Sequence, residues 1–478
     1  MNARLASVAM AMVLGGCAAA PTAPPPATGL PSHWHAARGA DPGDAAVAPD
    51  AWWDGFGDPV LSELVAEALA AAPDLRLARA RVLEARAAAG IARADALPRI
   101  DAGASSAIRA DVVEAERQGR PSEQAGFHQI GFDARWEIDL FGGLRARRDA
   151  AAADLAAAGF AYADARVTLA AEVGRHYIAL RGAQRRLEVA RSNLARQRDA
   201  LGLLRSRVRA GLDAEVDGAR AQSELQALQA ALPPLRAESA LAALRIAVLL
   251  GRPPAALAQR LGEAQPLPPV PAAIPAGVPS SLLDRRPDLR RARAEVLAAN
   301  ARVGMARADL FPRFFISGLL ARSGERLDGV TLGPGLLYSL GPSVTLPIFN
   351  AGRLRANVEI QDARLAQAIA GYDRAVLRAL EDVEAASTAF ARERERHERL
   401  TEAVRSAALA ERLARTLHGR GLADWFGVLD AQRVLYARED ALAASATALG
   451  LHAVALYKAL GGGWDAAPEG SLAGLSFP

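Results

Sequence analysis

From Ile130 to Leu140 the chain alternates without a break: Ile130, Phe132, Ala134, Trp136, Ile138 and Leu140 are apolar, whereas Gly131, Asp133, Arg135, Glu137 and Asp139 are small or charged. Such alternation over eleven residues predicts a β-strand with one apolar and one polar face. Three further runs, Ile100 to Arg109, Phe314 to Arg322 and Leu336 to Leu346, alternate less cleanly, are rich in Gly and Ser, and read as its partners. Pro342 stands inside the last of them, and proline withholds a ladder hydrogen bond, so that run carries the weakest strand signal.

Around these runs the period changes from that of a strand to that of a helix. PDLRLARARVLEARAAAGIARAD, ending before Pro98, has helical spacing of its apolar residues, and so does PDLRRARAEVLAANARVGMARAD, ending before Pro312. The two are copies: between Pro73–Arg99 and Pro287–Arg313, 214 residues apart, 18 of 27 positions are identical with no gap. Asp139-Leu140-Phe141 then parallels Pro347-Ile348-Phe349. From Leu144 onward the offset is 210, pairing Gly211-Leu212 with Gly421-Leu422, Ala221-Gln222 with Ala431-Gln432, and Leu250-Gly251 with Leu460-Gly461. The chain is therefore one duplicated unit and not two unrelated domains.

Each copy also contains a very long helical stretch. Proline is absent between Pro121 and Pro233 and between Pro347 and Pro468, and helical periodicity lasts until Gly211 and Gly421. Leu144 to Arg209 alone makes a helix of about 66 residues, roughly 100 Å long. Its shorter companions, roughly 23 residues before Pro98 and about 37 from Ala214 to Leu250, give roughly 90 Å together. Each long helix is thus expected to lie beside two short ones stacked end to end.

No run of 18 apolar residues follows Gly16, so the sequence offers no continuous apolar transmembrane helix. The four alternating runs instead have the length and pattern of outer-membrane strands, which must belong to a closed barrel because lipid cannot satisfy a free edge. Four strands cannot close; about eight make the smallest such barrel, so the chain must share one with other copies. A coiled-coil stalk or a periplasmic scaffold would account for the rods and leave the strands unexplained.

Composition narrows the function. Half the chain is apolar, aromatics are 5%, and the net charge of +4 is carried by arginines spread along helices, with Lys458 the single lysine. No concentrated basic patch marks a nucleic-acid partner, and ARERERHERL (Ala391 to Leu400) reads as the solvated face of a long helix. The seven histidines show no metal-ligand spacing beyond His33-x-His35. With no phosphate-binding loop and no nucleophile motif, neither an enzyme nor a cofactor is expected. At the N-terminus, Met-Asn-Ala-Arg and the short apolar LASVAMAMVLGG read as a signal peptide over 1–16. Leu14-Gly15-Gly16-Cys17 resembles a bacterial lipobox, which makes Cys17 the lipidation site and the outer membrane the address, since Ala18 stands where an inner-membrane retention signal would have Asp. A lipid-anchored tether follows over 17–50, including the Pro-rich run Pro21 to Pro31.

Several long motifs carry a family resemblance. VPSSLLDRRPDLRRARAEVLAANARVGMARADLFPR (Val278 to Arg313), WWDGFGDPVLSELVAEAL (Trp52 to Leu69), LPIFNAGRLRANV (Leu346 to Val358), VLDAQR (Val428 to Arg433) and ALYKALGGGW (Ala455 to Trp464) resemble the TolC-like outer membrane factors. The lipoprotein branch serving resistance-nodulation-division efflux pumps is the nearest in pattern. The resemblance covers essentially the whole chain and implies a mixed fold: a homotrimer with four strands per chain and twelve per barrel, continued by a long periplasmic α-helical barrel. On this reading 51–252 and 281–463 are the two structural repeats, 253–280 is a Pro-rich equatorial connector and 464–478 is a tail. The implied function is that of a passive exit duct for drugs or other small toxic compounds, working with a periplasmic adaptor and an inner-membrane pump. The duct of a type I protein secretion system is the alternative, which the lipobox and the ALYKALGGGW ending disfavour.

Two places then qualify as sites. RAGLDAEVDGARAQ (Arg209 to Gln222) and GRGLADWFGVLDAQ (Gly419 to Gln432) are helix-helix turns, and Gly211 and Gly421 suit them because glycine accepts positive φ. The resemblance makes Gly211, Leu212, Gly421 and Leu422 the tips that meet the adaptor. Asp430 has Arg433 at i+3 and Phe426 at i−4 on its own helix face. The resemblance places this segment at the closed periplasmic end, where three Asp430 carboxylates ring the axis, Phe426 forms an apolar constriction, and Arg220, the first-repeat equivalent of Asp430, is a candidate partner of opposite charge.

Overall fold

The computed structural model describes residues 29–35, 51–110, 117, 119, 124–272, 274–327 and 330–464. The signal peptide, Cys17, most of the tether and the tail beyond Trp464 lie outside the described residues. Two compact units are present: one formed by Val82–Ala158 and Arg291–Tyr372, the other by the segment through Arg81, Gly159–Arg290 and the chain from Asp373 onward.

The first unit carries a four-stranded antiparallel sheet of β1 (Arg99–Ala110), β2 (Gln124–Ile138), β3 (Arg313–Leu327) and β4 (Val330–Thr345), in that spatial order. All four expected strands form, and each begins before its expected start. Strand β2 stops two residues short of Leu140, because Asp139 turns its carboxylate to the next helix and accepts from the backbone N–H of Leu144 (3.2 Å) and Arg145 (2.8 Å). Pro342 sits in β4 opposite Ile316, in a strand with no outer neighbour within the chain.

Register sorts the side chains into two faces. Ala102, Phe132, Leu320 and Tyr338 stand in one row across the sheet, and Ile130, Trp136, Leu336 and Leu340 share their face; the larger side chains among them are all exposed. Asp101 pairs with Asp133, and Arg99 with Arg135, on the opposite face. An apolar surface of this breadth facing outward has no partner inside the chain. On the polar face the backbone packs tightly at Gly131, where an added Cβ would lie 2.5 Å from both Cα and Cβ of Ala321.

The register also relocates the duplication. Arg99 pairs with Arg135 in the first hairpin and Arg313 with Thr345 in the second, so β1 maps to β3 at 214 residues but β2 already maps to β4 at 210. Gly142 (φ 79°) and Gly352 (φ 84°) confirm the 210 offset at the strand exits. The expected match of Asp139-Leu140-Phe141 with Pro347-Ile348-Phe349 is therefore shifted by two: Asp139 corresponds to Phe349. Hydrogen-bond pairing counts residues from the neighbouring strand, whereas the two similar tripeptides merely occupy similar bends.

The helices are α1 (Pro59–Ala71), α2 (Pro73–Ala94), α3 (Gly143–Arg209), α4 (Glu215–Ala230), α5 (Leu232–Leu249), α6 (Pro287–Ala308), α7 (Arg353–Gly419) and α8 (Trp425–Ala459), with shorter turns between them. The long helices α3 and α7 have 67 residues each. The single returning helix expected over Ala214 to Leu250 is broken at Ala231, because Pro233 and Pro234 lack the N–H groups to continue it and instead fill the first turn of α5. The second copy has no such prolines, and α8 runs unbroken for 35 residues.

End-to-end stacking of the short helices is present in both copies. At the end of α5, Gly251 (φ +72°) would place a Cβ 2.9 Å from Pro73 Cδ, at the start of α2; at the end of α8, Gly461 (φ +76°) would place one 3.1 Å from the Arg285 carbonyl, just before α6. Arg286 ties the second junction: its guanidinium donates to Asp288 (2.8 Å), Asp382 of α7 (3.0 Å) and the Ala459 carbonyl (3.1 Å). Burial works against that charge, but the Asp288 and Asp382 carboxylates outweigh it and hold the guanidinium above its ordinary value. Among the described residues α8 is the one unbroken helix long and apolar enough to cross a membrane. Its charged side is committed to α3, through Arg186–Asp440 (2.9 Å) and Arg196–Glu439 (2.8 Å).

Tyr177 of α3 is fully buried and donates to Asp58 Oδ2 at 2.7 Å, while Asp58 caps α1. Burial pushes the phenol up to about 12. Because the folded chain holds this proton more tightly than the unfolded one, its contribution is intact below pH ~10 and is lost as pH rises towards ~12. The Tyr177→Phe protein should therefore lose less thermal stability than wild type between those pH values. Parallel melting curves test this, and equal losses would remove Tyr177 from the alkaline transition.

Candidate functional site

The two helix-helix turns close in the same way. Gly211 and Gly421 both have φ 70°, Leu212 N–H donates to the Arg207 carbonyl (2.9 Å) and Leu422 N–H to the Leu417 carbonyl (3.0 Å). Each is completed by an inner bond, Gly211 to Val208 and Gly421 to His418, both 2.9 Å. This paired arrangement satisfies the last carbonyls of α3 and α7, and it demands a left-handed residue that glycine supplies at little cost. Leu212 and Leu422, next in line, are 65% and 71% exposed, so each turn ends in an apolar side chain held outward.

Local chemistry distinguishes the turns. In the first, Arg207 pairs with Asp213 at 2.6 Å, and that hydrogen bond holds the guanidinium above its usual value. In the second, Asp424 caps α8 through the Gly427 N–H (3.1 Å). His418, buried behind the turn, faces the Ala423 carbonyl with Nδ1 at 3.1 Å, which makes that nitrogen the donor, and sets its ring edge-on to Trp425 at 4.9 Å.

Helix α8 divides VLDAQR between two faces. Val428 and Gln432 are buried, with Trp425 and Val428 joining Leu201, Leu204, Ala221 and Leu225 in one cluster. Phe426, Asp430 and Arg433 are exposed, and Arg433 donates to Asp430 at 2.9 Å. The expected face is thus brought together. Arg220 does not join Asp430 within the chain: it pairs with Asp217 at 3.5 Å and lies 5.4 Å from the Phe426 ring centroid. Sequence reading missed Asp217, although its i,i+3 spacing to Arg220 was visible, and missed His418, whose partner across the turn is reached only by folding. Among the described residues no group of three His, Cys, Asp or Glu is arranged to hold a metal ion.

The segment beneath the turns contains polar atoms that are buried without a hydrogen-bond partner: Gln197 Oε1, His418 Nε2, Trp425 Nε1, Gln432 Oε1 and Tyr436 OH. Nearer the stacked helix ends, buried Arg181 donates to Gln184 and the Glu263 carbonyl, and Gln184 to the Leu261 carbonyl, each at 2.8 Å, while Arg181 Nε and Trp52 Nε1 are buried without a partner.

The family model described as outer membrane efflux protein matches residues 64–252 and 278–462, one stretch in each copy of the duplication. The chain belongs to the outer membrane efflux protein family. Family relatives include outer membrane protein OprJ of Pseudomonas aeruginosa, 32% identical and matched over 96% of each chain. Nodulation protein T of Rhizobium leguminosarum bv. viciae is 31% identical, over 98% of this chain and 94% of that protein. The structure of the outer-membrane channel OprN superposes with a TM-score of 0.85 at 34% identity, covering 94% of this chain and all of OprN. As a family member the chain is an outer-membrane channel protein of an efflux system, reaching into the periplasm. The apolar face of its sheet is accordingly the surface suited to lipid, and the polar face the one suited to the channel interior.

Proposed function

We propose that this chain is the passive exit duct of a tripartite efflux pump. Three copies, anchored by a lipid on Cys17 after removal of residues 1–16 and tethered by 17–50, form one channel. Residues 51–252 and 281–463 act as equivalent staves, joined by the equatorial connector 253–280, and 464–478 form a tail. The channel receives drugs or other small toxic compounds from an inner-membrane resistance-nodulation-division pump through a periplasmic adaptor that docks at Gly211, Leu212, Gly421 and Leu422. The exposure of Leu212 and Leu422 on two matching glycine-closed turns supports that docking.

Asp430, Arg433, Phe426 and Arg220 form the periplasmic gate on this reading. The carrying observation is the exposed face of α8, where Asp430 and Arg433 pair at 2.9 Å beside Phe426 and Arg220. An exposed i,i+3 pair contributes only about 0.5 kcal/mol within its helix, so its value lies in what three copies do around a narrow axis.

Single-channel recordings of the purified protein in planar bilayers test the gate. Wild type should conduct poorly with cation preference, and Asp430→Ala should raise conductance several-fold and weaken that preference. Unchanged conductance and selectivity would return Asp430 to the role of a surface ion pair.

A further inference from the structure

The duplicated sheet contains a template for a joint that a single chain cannot make. Strand β2 pairs with β3 inside the chain, joining the second strand of one copy to the first strand of the next. The equivalent surfaces of the other copy, β4 and β1, are the two free edges of the sheet.

We infer that β4 of one chain pairs antiparallel with β1 of a second chain in the β2/β3 register, which sets Gly341 opposite the partner's Ala107. The inference rests on the shared-barrel reading above and specifies what that reading leaves open, the register of the joint between copies. The mapping uses two offsets fixed by hydrogen-bond pairing, 210 residues from β2 to β4 and 214 from β1 to β3. Ile130 opposite Arg322 becomes Leu340 opposite the partner's Ile108; Ala134 opposite Gly318 becomes Val344 opposite the partner's Ala104.

Three observations support this register. Apolar side chains meet apolar or small ones on one face, while Ser343 meets the partner's Ser105 on the other, as face alternation requires. Leu340, Ile108 and Val344 are 82%, 77% and 57% exposed in the single chain, and the joint would cover part of each. Most telling is the tight contact of the template. Gly131 tolerates no Cβ because Ala321 lies against it; the mapping places Gly341 against Ala107, so both residue types recur although few other positions of β4 and β1 match β2 and β3. In the single chain Gly341 has nothing within 4 Å of its missing Cβ, so its own hairpin does not require a glycine there. A slip of two residues keeps the faces but sets Gly341 against the partner's Ser105.

Paired cysteines in the full-length protein in outer membranes test the register. On one face of a strand pair all opposed residues are of the same hydrogen-bonding type, and closely approaching pairs of the other type lie on the other face. One pair is therefore needed on each face: Leu340→Cys with Ile108→Cys, and Ser343→Cys with Ser105→Cys. Shifted controls are Leu340→Cys with Ser106→Cys and Ser343→Cys with Gly103→Cys, and single-cysteine chains control for Cys17. After oxidation, at least one matched pair should give covalent dimers and trimers at least five-fold above its shifted control. Greater cross-linking in the shifted controls, or none in any pair while trimers persist on native gels, would overturn the register but keep the shared barrel. Monomers throughout, wild type included, would overturn both. Gly341→Leu gives a second readout free of cysteine chemistry: trimers should fall at least five-fold, and wild-type trimer levels would overturn the tight contact.

Discussion

Gly131→Leu is expected to reduce outer-membrane trimer at least tenfold. The new Cβ would meet Ala321 Cα, Ala321 Cβ and the Leu320 carbonyl oxygen, each at 2.5 Å, and two of those three atoms are backbone. No rotamer relieves a clash with backbone; the strands must part, and parting them breaks the β2/β3 ladder that joins the two hairpins. Gly103, opposite Gly131 in register on β1, has nothing within 4 Å of its missing Cβ, so Gly103→Leu serves as a matched control and should assemble normally. Membrane fractionation followed by unheated gel electrophoresis distinguishes them. Equal trimer from both variants would show that the tight approach at Gly131 is not required for assembly.

The next largest effect is expected at Trp52, in the helical unit. Its indole is fully buried, stacked on Tyr457 at 5.3 Å and 15°, and edge-on to Phe56 at 6.0 Å. Helix α3 passes it at Gly174, where a Cβ would lie 2.8 Å from Cη2, and Gly463 beyond α8 approaches its Nε1. One side chain thus holds the short turn Trp52–Phe56, α3 and the end of α8 together. Truncation to alanine should cost about 3–5 kcal/mol, the range for emptying a buried aromatic site. Heating at a fixed rate and following the loss of trimer gives the readout, with Trp52→Phe expected between wild type and Trp52→Ala. If alanine left the transition unchanged, the contacts around Trp52 would be dispensable packing.

How far these effects could be foreseen differs between the two. The sequence shows Trp52 in a memorable motif, yet its stacking partner Tyr457 is 405 positions away by numbering. Gly131 reads in the sequence as one small residue among the polar positions of an alternating strand. Its necessity comes from how closely β3 approaches, which only the folded sheet decides. The α8 face proposed as the gate was legible because i,i+3 and i,i+4 spacing needs only a helix, and Asp430, Arg433 and Phe426 do share the exposed side. The choice of Asp217 by Arg220 was not settled by the match of repeats, since equivalence between copies says which positions correspond and not which side chains touch.

Element types and the duplication are legible in the chain before it folds. Alternation and helical period are local signals, prolines and glycines mark where they stop, and two copies of one motif need no folding to be recognised. The reach of the sequence ended where distant segments meet. The register of the two hairpins moved the change of repeat offset from the strand exits to the hairpin connections, because hydrogen bonds between strands, not resemblance along them, decide which residues correspond. Tertiary structure likewise decided the end-to-end contacts at Gly251 and Gly461 and the outward apolar face of the sheet. These depend on close approach between residues far apart in the chain, and steric contact becomes specific only when both surfaces are in place.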